Sequence, residues 1–264
     1  LELGWGSGPR PDRMHQLKRI LKSAAASSLY HCGALDFMAS KRLKSRAVVL
    51  MYHRVVPEGR QAYYHSSPGI CVSDVIFRRH IEFLKRRFRV LDLDEFVQYV
   101  VNSIPFPDRS CLITFDDGWV DNYHTAFPIL REFDIPATIF LPFNYIGADH
   151  MFWQEELTLR LTQLIASGNH IDRQFVKSIL DTKNFPKREQ LISYIQELKR
   201  SSYAKIDEVL QMVRFHQRRI DLPEHDNRYV NWQQVEEMGQ HGVTFGSHSL
   251  SHRILTKLPK GEIR

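Results

Sequence analysis

Two groups of polar residues, each directly after an apolar run, carry side chains that could do chemistry. They are Asp116 and Asp117 in the middle of the chain, and His248 and His252 near its end. Two imidazoles and one carboxylate form a catalytic type of metal-ligand set, because a coordination position stays open for water. Histidines four residues apart can aim at one ion from a single helical turn or a helical loop. The residues therefore predict a divalent metal site formed by Asp117, His248 and His252.

Each group taken alone also has an ordinary structural explanation. The chain contains 13 histidines, so a pair at this spacing arises easily by chance, and Asp-Asp-Gly is a common turn sequence. The histidine pair lacks the intervening glutamate of HExxH metalloproteases, which excludes that class. The metal hypothesis therefore depends on the two groups meeting in space.

The elements around these groups predict how they would meet. Short apolar runs predict strands at 47–52, 89–91, 111–115, 136–141 and 243–246. Helical patterns lie between them, at 74–88, 94–101, 122–133 and 231–238, with Asp74 as the expected cap of the first. Strands that alternate with helices predict an α/β fold with a parallel sheet, either open or closed into a barrel. Because parallel strands end at one edge, we expect both polar groups at that edge.

The rest of the chain predicts two further regions. Residues 1–46 are expected to form a basic N-terminal leader and helix, and residues 47–264 one catalytic domain. Within that domain, residues from about 150 to 229 carry charged helical patterns and predict a helical insertion. This insertion is either a lid or cleft wall, or a plain structural elaboration.

Two segments resemble motifs of a known family. Residues 114–118 (TFDDG) and 248–252 (HSLSH) resemble the first two motifs of the polysaccharide deacetylases, which are carbohydrate esterase family 4, the chitooligosaccharide-deacetylase homology domain. Shorter similarities at 52–55, 136–140 and 245–247 extend the resemblance over about 47–147 and 230–258. The resemblance implies a distorted (β/α) barrel and a hydrolase that removes acetyl groups from the nitrogen or oxygen of a polysaccharide or oligosaccharide.

The resemblance also implies roles for individual residues. Asp116 would act as general base, while Asp117, His248 and His252 would hold a divalent metal, zinc in the first place, with cobalt, nickel or manganese as alternatives. Such a metal activates water near neutral pH and polarises the acetyl carbonyl. The nearby cation would depress the pKa of Asp116.

Three more residues are candidates for binding the acetylated glycan substrate. His53 follows the first predicted strand and would either line the pocket or serve as a structural histidine. Trp119 and Tyr123 follow the two aspartates and would either stack on a sugar ring or pack in the core.

The family's later motifs are not found in residues 253–264. The chain also shows about five strands, whereas a closed parallel barrel needs roughly seven or eight. We therefore expect the domain to continue beyond Arg264, and the chain as printed to bind metal but to turn over substrate poorly.

Two alternatives to a deacetylase stay open. One is a non-catalytic carbohydrate-binding remnant of the same fold. The other is a metal-dependent hydrolase of another substrate class, such as a phosphoesterase, because a fold and its ligands do not fix the bond that is cleaved. We expect no nucleic-acid partner, because the sequence contains no recognition motif of that kind.

Composition limits class and location. With 264 residues, 43% of them hydrophobic, the chain can bury a core, which excludes disordered and fibrous classes. A net charge of +6 favours anionic surfaces, although solvated helix faces are the stronger explanation of the basic residues. Three cysteines without a CxxC spacing indicate neither a disulfide framework nor a thiolate zinc site. We expect a cytoplasmic location or the cytoplasmic membrane face, with a peripheral contact through the basic N-terminus; the cell envelope is the alternative.

Overall fold

A computed structural model describes residues 13–59, 66–184, 186–220 and 229–263. Its helices are α1 (Arg13–His31), α2 (Ala34–Arg42), α3 (Asp74–Arg87), α4 (Leu93–Val101), α5 (Phe127–Glu132), α6 (Trp153–Ala166), α7 (His170–Ile179), α8 (Arg188–Leu198), α9 (Tyr203–His216) and α10 (Trp232–Gly239). Its strands are β1 (Ala47–Tyr52), β2 (Arg54–Val56), β3 (Cys71–Ser73), β4 (Arg89–Leu91), β5 (Ser110–Asp116), β6 (Ala137–Leu141) and β7 (Val243–Ser247). Residues 1–12 of the predicted leader and residues 221–228 of the predicted insertion lie outside the described residues.

Five parallel strands form the main sheet, in which β1, β5, β6 and β7 lie side by side. Strand β1 pairs with β5 from Ala47↔Ser110 to Tyr52↔Phe115. On the other side of β5, β4 pairs with its first half and β6 with its second half. Strands β2 and β3 form a separate parallel pair. The predicted α/β class with a parallel sheet is confirmed. Among the described strands, β1 and β7 are the ends of the pairing path, and closure into a barrel stays a prediction.

The central strand explains why the sheet forms here. All residues of β5 except the last are buried, which is typical of a parallel strand covered on both faces. Helix α3 covers one side with Phe77, Ile81 and Leu84, which lie on one face at helical spacing. Its cap differs from the prediction: the Ser73 hydroxyl accepts from the Ile76 backbone N–H, while the carboxylate of Asp74, the first helical residue, accepts from Glu58 and Val75.

The predicted helix at 122–133 is divided into two parts. Residues Asn122–Ala126 are π-helical, and α5 continues from Phe127. Pro128 lies in the first turn of α5 and has no N–H to donate back to the His124 carbonyl, so a regular α-helical ladder cannot run through this point.

Helices α6 to α9, residues 153–216, form a four-helix segment with its own apolar core. Helix α6 is the centre of this segment and contacts α7, α8 and α9. Its Glu156 accepts hydrogen bonds from Arg160 and Arg214, so the charge is paired inside the segment. The helical character predicted for this stretch is therefore present in the structure, as four separate helices.

Helices α1 and α2 precede the sheet and are largely exposed. They reach the sheet through an ion pair between Asp36 of α2 and Arg109, at 2.9 Å. Among the described residues, no helix has both the length and the apolar character needed to cross a membrane.

Candidate metal centre

A tight turn at the end of β5 positions Asp117. The backbone φ angles of Asp117 and Gly118 are 75° and 61°, both in the left-handed region. A Cβ atom at position 118 would overlap the Leu141 side chain, so this turn favours glycine both for its conformation and for space. The turn carries Asp117 out of the strand line while Asp116 remains the last residue of β5.

A loop after β7 positions the two histidines. The His248 N–H donates to the Leu141 carbonyl at 2.9 Å, next to the last register pair of β6 and β7. The following residues form an irregular loop, in which Ser249 and His252 have φ angles of 67° and 52°. The loop is held because the N–H groups of Phe143 and Asn144 donate to its carbonyls. The rings therefore meet without the helical turn or helical loop expected from their spacing, since two left-handed residues interrupt helical backbone here.

The turn and the loop bring three side chains together. One ligand atom from each of Asp117, His248 and His252 lies within 4.8 Å of the other two. The Oδ1 atom of Asp117 is 2.9 Å from Nε2 of His252 and 3.4 Å from Nε2 of His248. The structure thus assembles the three residues that the sequence proposed as metal ligands.

The hydrogen bonding of Asp117 tests whether a cation fits. Its Oδ2 atom accepts a hydrogen bond from Nε1 of Trp119 at 3.2 Å. Its Oδ1 atom is buried and, among the described residues, has no hydrogen-bond partner of normal geometry. One oxygen is therefore oriented by a neighbouring donor while the other is directed at the two imidazoles, as expected of a metal-ligating carboxylate. The donor set fits a divalent cation.

The charges of these side chains reinforce one another. Burial acts to raise the pKa of Asp117, but the facing rings of His248 and His252 outweigh burial and hold this pKa well below its ordinary value. The contact with Asp117 raises the pKa of His248, against the effect of burial. The carboxylate is therefore ionised at neutral pH, as a metal ligand must be.

Asp116 lies beside these residues and has a different environment. Its carboxyl is half-buried, and burial raises its pKa, while His248 and His53 oppose that rise. A cation held by Asp117 would act in the same direction as the two histidines. The expected depression of the pKa of Asp116 thus depends on the cation, since the protein surroundings alone raise it.

The structure assigns Trp119 to packing. The residue is 1% exposed, its ring packs against Phe152 and Tyr229, and the Arg54 guanidinium lies 4.2 Å from the ring centroid. Trp119 also lines the cavity beside Asp117, but only 1% of the residue is exposed, so packing among these rings accounts for most of its surface. Phe152 in turn stacks on the His252 ring at 4.0 Å, so this aromatic cluster supports two of the three ligand residues.

Tyr123 and His53 lie in different places. The Tyr123 hydroxyl donates to Glu237 at 2.6 Å, and the ring lines a separate cleft with Phe127, so the structure does not bring Tyr123 to the metal ligands. His53 lines a cavity of about 260 Å³ together with Asp117 and His252. Of the three predicted substrate-binding residues, His53 and the largely covered Trp119 line this cavity, and Tyr123 does not.

Arg54 and Glu155 are buried charged residues near the cavity that the sequence does not indicate. Arg54 is 1% exposed; its Nε donates to Asp121 at 2.8 Å and its Nη1 to the Ser66 hydroxyl at 2.6 Å. That hydroxyl donates to Glu155 of α6 at 3.0 Å, and Glu155 lines the same cavity. The sequence gives one signal for Arg54: it is a charged residue directly after a predicted strand, within residues 52–55, which resemble the family.

Fold and site together define the class of the protein. The protein has an α/β fold with a parallel sheet. A carboxylate and two histidines meet at the carboxyl edge of this sheet, next to a cavity, and they form the type of ligand set found in catalytic metal sites.

Comparisons with known proteins specify this class further. Residues 103–175 match the family described as polysaccharide deacetylase. The chain is 34% identical over 140 residues to a poly-β-1,6-N-acetyl-D-glucosamine N-deacetylase of Staphylococcus epidermidis. This alignment covers 49% of the chain and 48% of that protein. It is also 34% identical over 136 residues to the protein of the same name from Staphylococcus aureus, covering 46% and 45%. Over these parts of its length, the chain is therefore similar to polysaccharide deacetylases.

These similarities cover only part of each protein. The chain spans about half the length of the curated relatives it matches. Among solved structures, the Streptococcus pyogenes deacetylase PplD in complex with acetate aligns with 81% of this chain and 60% of its own, with a TM-score of 0.45 and 16% identity.

Proposed function

We propose that this chain carries the active site of a metal-dependent hydrolase that removes acetyl groups from an N-acetylated glycan. The observation that carries the proposal is the convergence of Asp117, His248 and His252 beside Asp116, at the edge of a cavity. Two relatives bear the name of N-deacetylases of a β-1,6-linked N-acetylglucosamine polymer, which favours an amide over an ester as the bond cleaved.

The reaction would follow from the positions of the chain's own groups. A divalent cation held by Asp117, His248 and His252 would supply polarisation of the acetyl carbonyl and activation of water. Asp116 would accept the proton that the attacking water loses, and Trp119 would keep the Asp117 carboxylate in place through its second oxygen. Addition of water and cleavage of the C–N bond yield acetate and a free amine on the sugar.

Zinc is the metal we propose, with cobalt, nickel or manganese as alternatives. Two imidazole nitrogens and one carboxylate oxygen are ligands common in catalytic zinc sites. The same donors also bind the other three ions, so the choice of metal depends on a measurement rather than on ligand type.

Release of acetate tests the proposed function. The chain, loaded with zinc, is incubated with a β-1,6-linked N-acetylglucosamine pentamer. We expect acetate from the wild type and from Asp94→Asn, an exposed control in α4, and a loss of roughly 100-fold or more in Asp116→Asn. No acetate from any of the three proteins, with glycan binding retained in Asp116→Asn, would favour the carbohydrate-binding alternative. Acetate from an O-acetylated glycan alone would make the enzyme an esterase.

We also propose that α1 contacts anionic membrane surfaces. Leu17, Ile20 and Leu21 are exposed on this helix, Lys18 and Lys22 lie between and beside them, and the sequence of α1 contains no acidic residue. Exposed apolar and basic side chains on one helix support a peripheral contact. The cytoplasmic location stays a prediction.

A further inference from the structure

One face of helix α8 forms a wall of the cavity beside the metal ligands. Six residues of this helix and its C-terminal cap line the cavity at helical spacing: Arg188, Leu191, Ile192, Ile195, Gln196 and Lys199. The middle of the face is apolar, and its two ends are cationic. Asp117 and His252 line the same cavity, so a glycan bound at the metal ligands would also meet this face.

Lys199 shares two cavities with the proposed metal ligand His252. It lines the main cavity together with His252, and it lines a second, neighbouring cavity of about 190 Å³ that His252 also lines. Within the described residues, Lys199 forms no ion pair. Its ammonium group can therefore act on whatever occupies the cavity.

The charges that face the cavity make it positive once a metal binds. Arg188 and Lys199 balance the carboxylates of Asp117 and Glu155 when both are ionised, so a divalent cation leaves an excess of at least two positive charges, or of at least one when the adjacent Asp116 is counted. The Glu155 carboxylate is directed into the wall, because the residue is 4% exposed and accepts from Ser66. His53 and His252, the remaining titratable groups, add no negative charge.

We propose that this face of α8 selects neutral, N-acetylated sugar units and rejects units whose amine is already free, with Lys199 as the main selecting residue. An acetamido group is uncharged, and its methyl group can pack on Leu191, Ile192 and Ile195. A freed amine is an ammonium ion at neutral pH and is repelled by Lys199 and Arg188. The proposal rests on the proposed deacetylase function and adds to it a preference for acetylated stretches of the polymer.

Binding of two sugar pentamers tests this selection without turnover. The zinc-loaded Asp116→Asn chain is titrated calorimetrically at pH 7 with two β-1,6-linked glucosamine pentamers, one fully N-acetylated and one with all amines free. We expect tighter binding of the acetylated pentamer. In a Lys199→Gln background, affinity for the free-amine pentamer should rise about two- to fivefold, the range for a partly exposed charge, while affinity for the acetylated pentamer stays constant. Lys199→Glu should raise the affinity for the free-amine pentamer further, and Lys199→Arg should leave that affinity at the wild-type value.

Controls separate selection from damage to the fold. Lys205→Gln, at an exposed position of α9 where the lysine pairs with Glu208, should leave both affinities unchanged. Arg188→Gln, at the other end of α8, should act in the same direction as Lys199→Gln, and thermal melts of each variant report folding. The proposal is overturned if the ratio of the two affinities is the same in wild type, Lys199→Gln and Lys199→Glu, or if neither pentamer binds. A shifted ratio without acetate release from the wild type would overturn the deacetylase function and leave the selectivity of the cavity standing.

Discussion

Replacing Trp119 by phenylalanine measures how much its hydrogen bond to Asp117 contributes to metal binding. The indole Nε1 donates to Oδ2 of Asp117, and phenylalanine keeps much of the buried ring while it removes this donor. A hydrogen bond to a charged group contributes about 1.5 to 3 kcal/mol, which corresponds to roughly a 10- to 100-fold change in an equilibrium constant. Partners that orient metal ligands have effects of the same size on metal affinity. We therefore expect Trp119→Phe to weaken zinc binding by about 10- to 100-fold.

Chelator competition at neutral pH measures this affinity directly. Trp232→Phe is the matched control, because Trp232 is an exposed tryptophan on α10 that packs on Phe143. Urea unfolding of the metal-free proteins shows whether Trp119→Phe is folded under the assay conditions. Zinc affinity within about twofold of the wild type in a folded Trp119→Phe would refute the role assigned to this hydrogen bond.

Three further predictions concern buried charge and the N-terminal helix. Arg54→Met breaks a buried ion pair and should lower the free energy of unfolding by about 3 to 5 kcal/mol in urea, whereas Arg78→Met, in an exposed pair, should have no measurable effect; equal effects would contradict this. Burial raises the pKa of Glu155 to about 7, so the folded chain binds this proton more tightly than the unfolded chain. This contribution to stability is complete below about pH 4.5 and is lost as pH rises through about 7. Glu155→Gln should remove a decline of roughly 2 to 3 kcal/mol over that window in the metal-free protein, and an unchanged pH profile would argue against it. Ile20→Glu should reduce sedimentation with anionic phospholipid vesicles, whereas Phe215→Glu, at an exposed position of α9, should not; equal sedimentation of both would contradict a contact through α1.

Much of the sheet follows from the sequence because its signals are local. The apolar runs of β1, β5, β6 and β7 are short, end at polar residues and alternate with helices, which is sufficient to predict parallel pairing. From parallel pairing it follows that Asp117 and the two histidines share an edge. Helix starts are readable to within about one residue: Asn231 accepts from the Gln234 N–H just before α10, whereas the cap of α3 is Ser73 and not the predicted Asp74.

Other features depend on contacts between distant residues, which the sequence does not display. Arg54 begins the short strand β2, and its charge would predict exposure; its burial depends on Asp121 and Ser66. The spacing of His248 and His252 predicts a helical turn, but hydrogen bonds from the segment after β6 hold a loop instead. The ring of Tyr123 is directed at Glu237 by the π-helical segment that contains it, and no period in the sequence indicates that segment.

The metal content of the purified chain is the most direct measurement of the central claim. Elemental analysis should find about one equivalent of a divalent metal per wild-type chain, and the same amount in Asp116→Asn. Asp117→Asn and His248→Ala should each lose it, because each removes one of the three converging ligands. Full metal content in both of these variants would show that the ion lies elsewhere and would contradict the assigned centre.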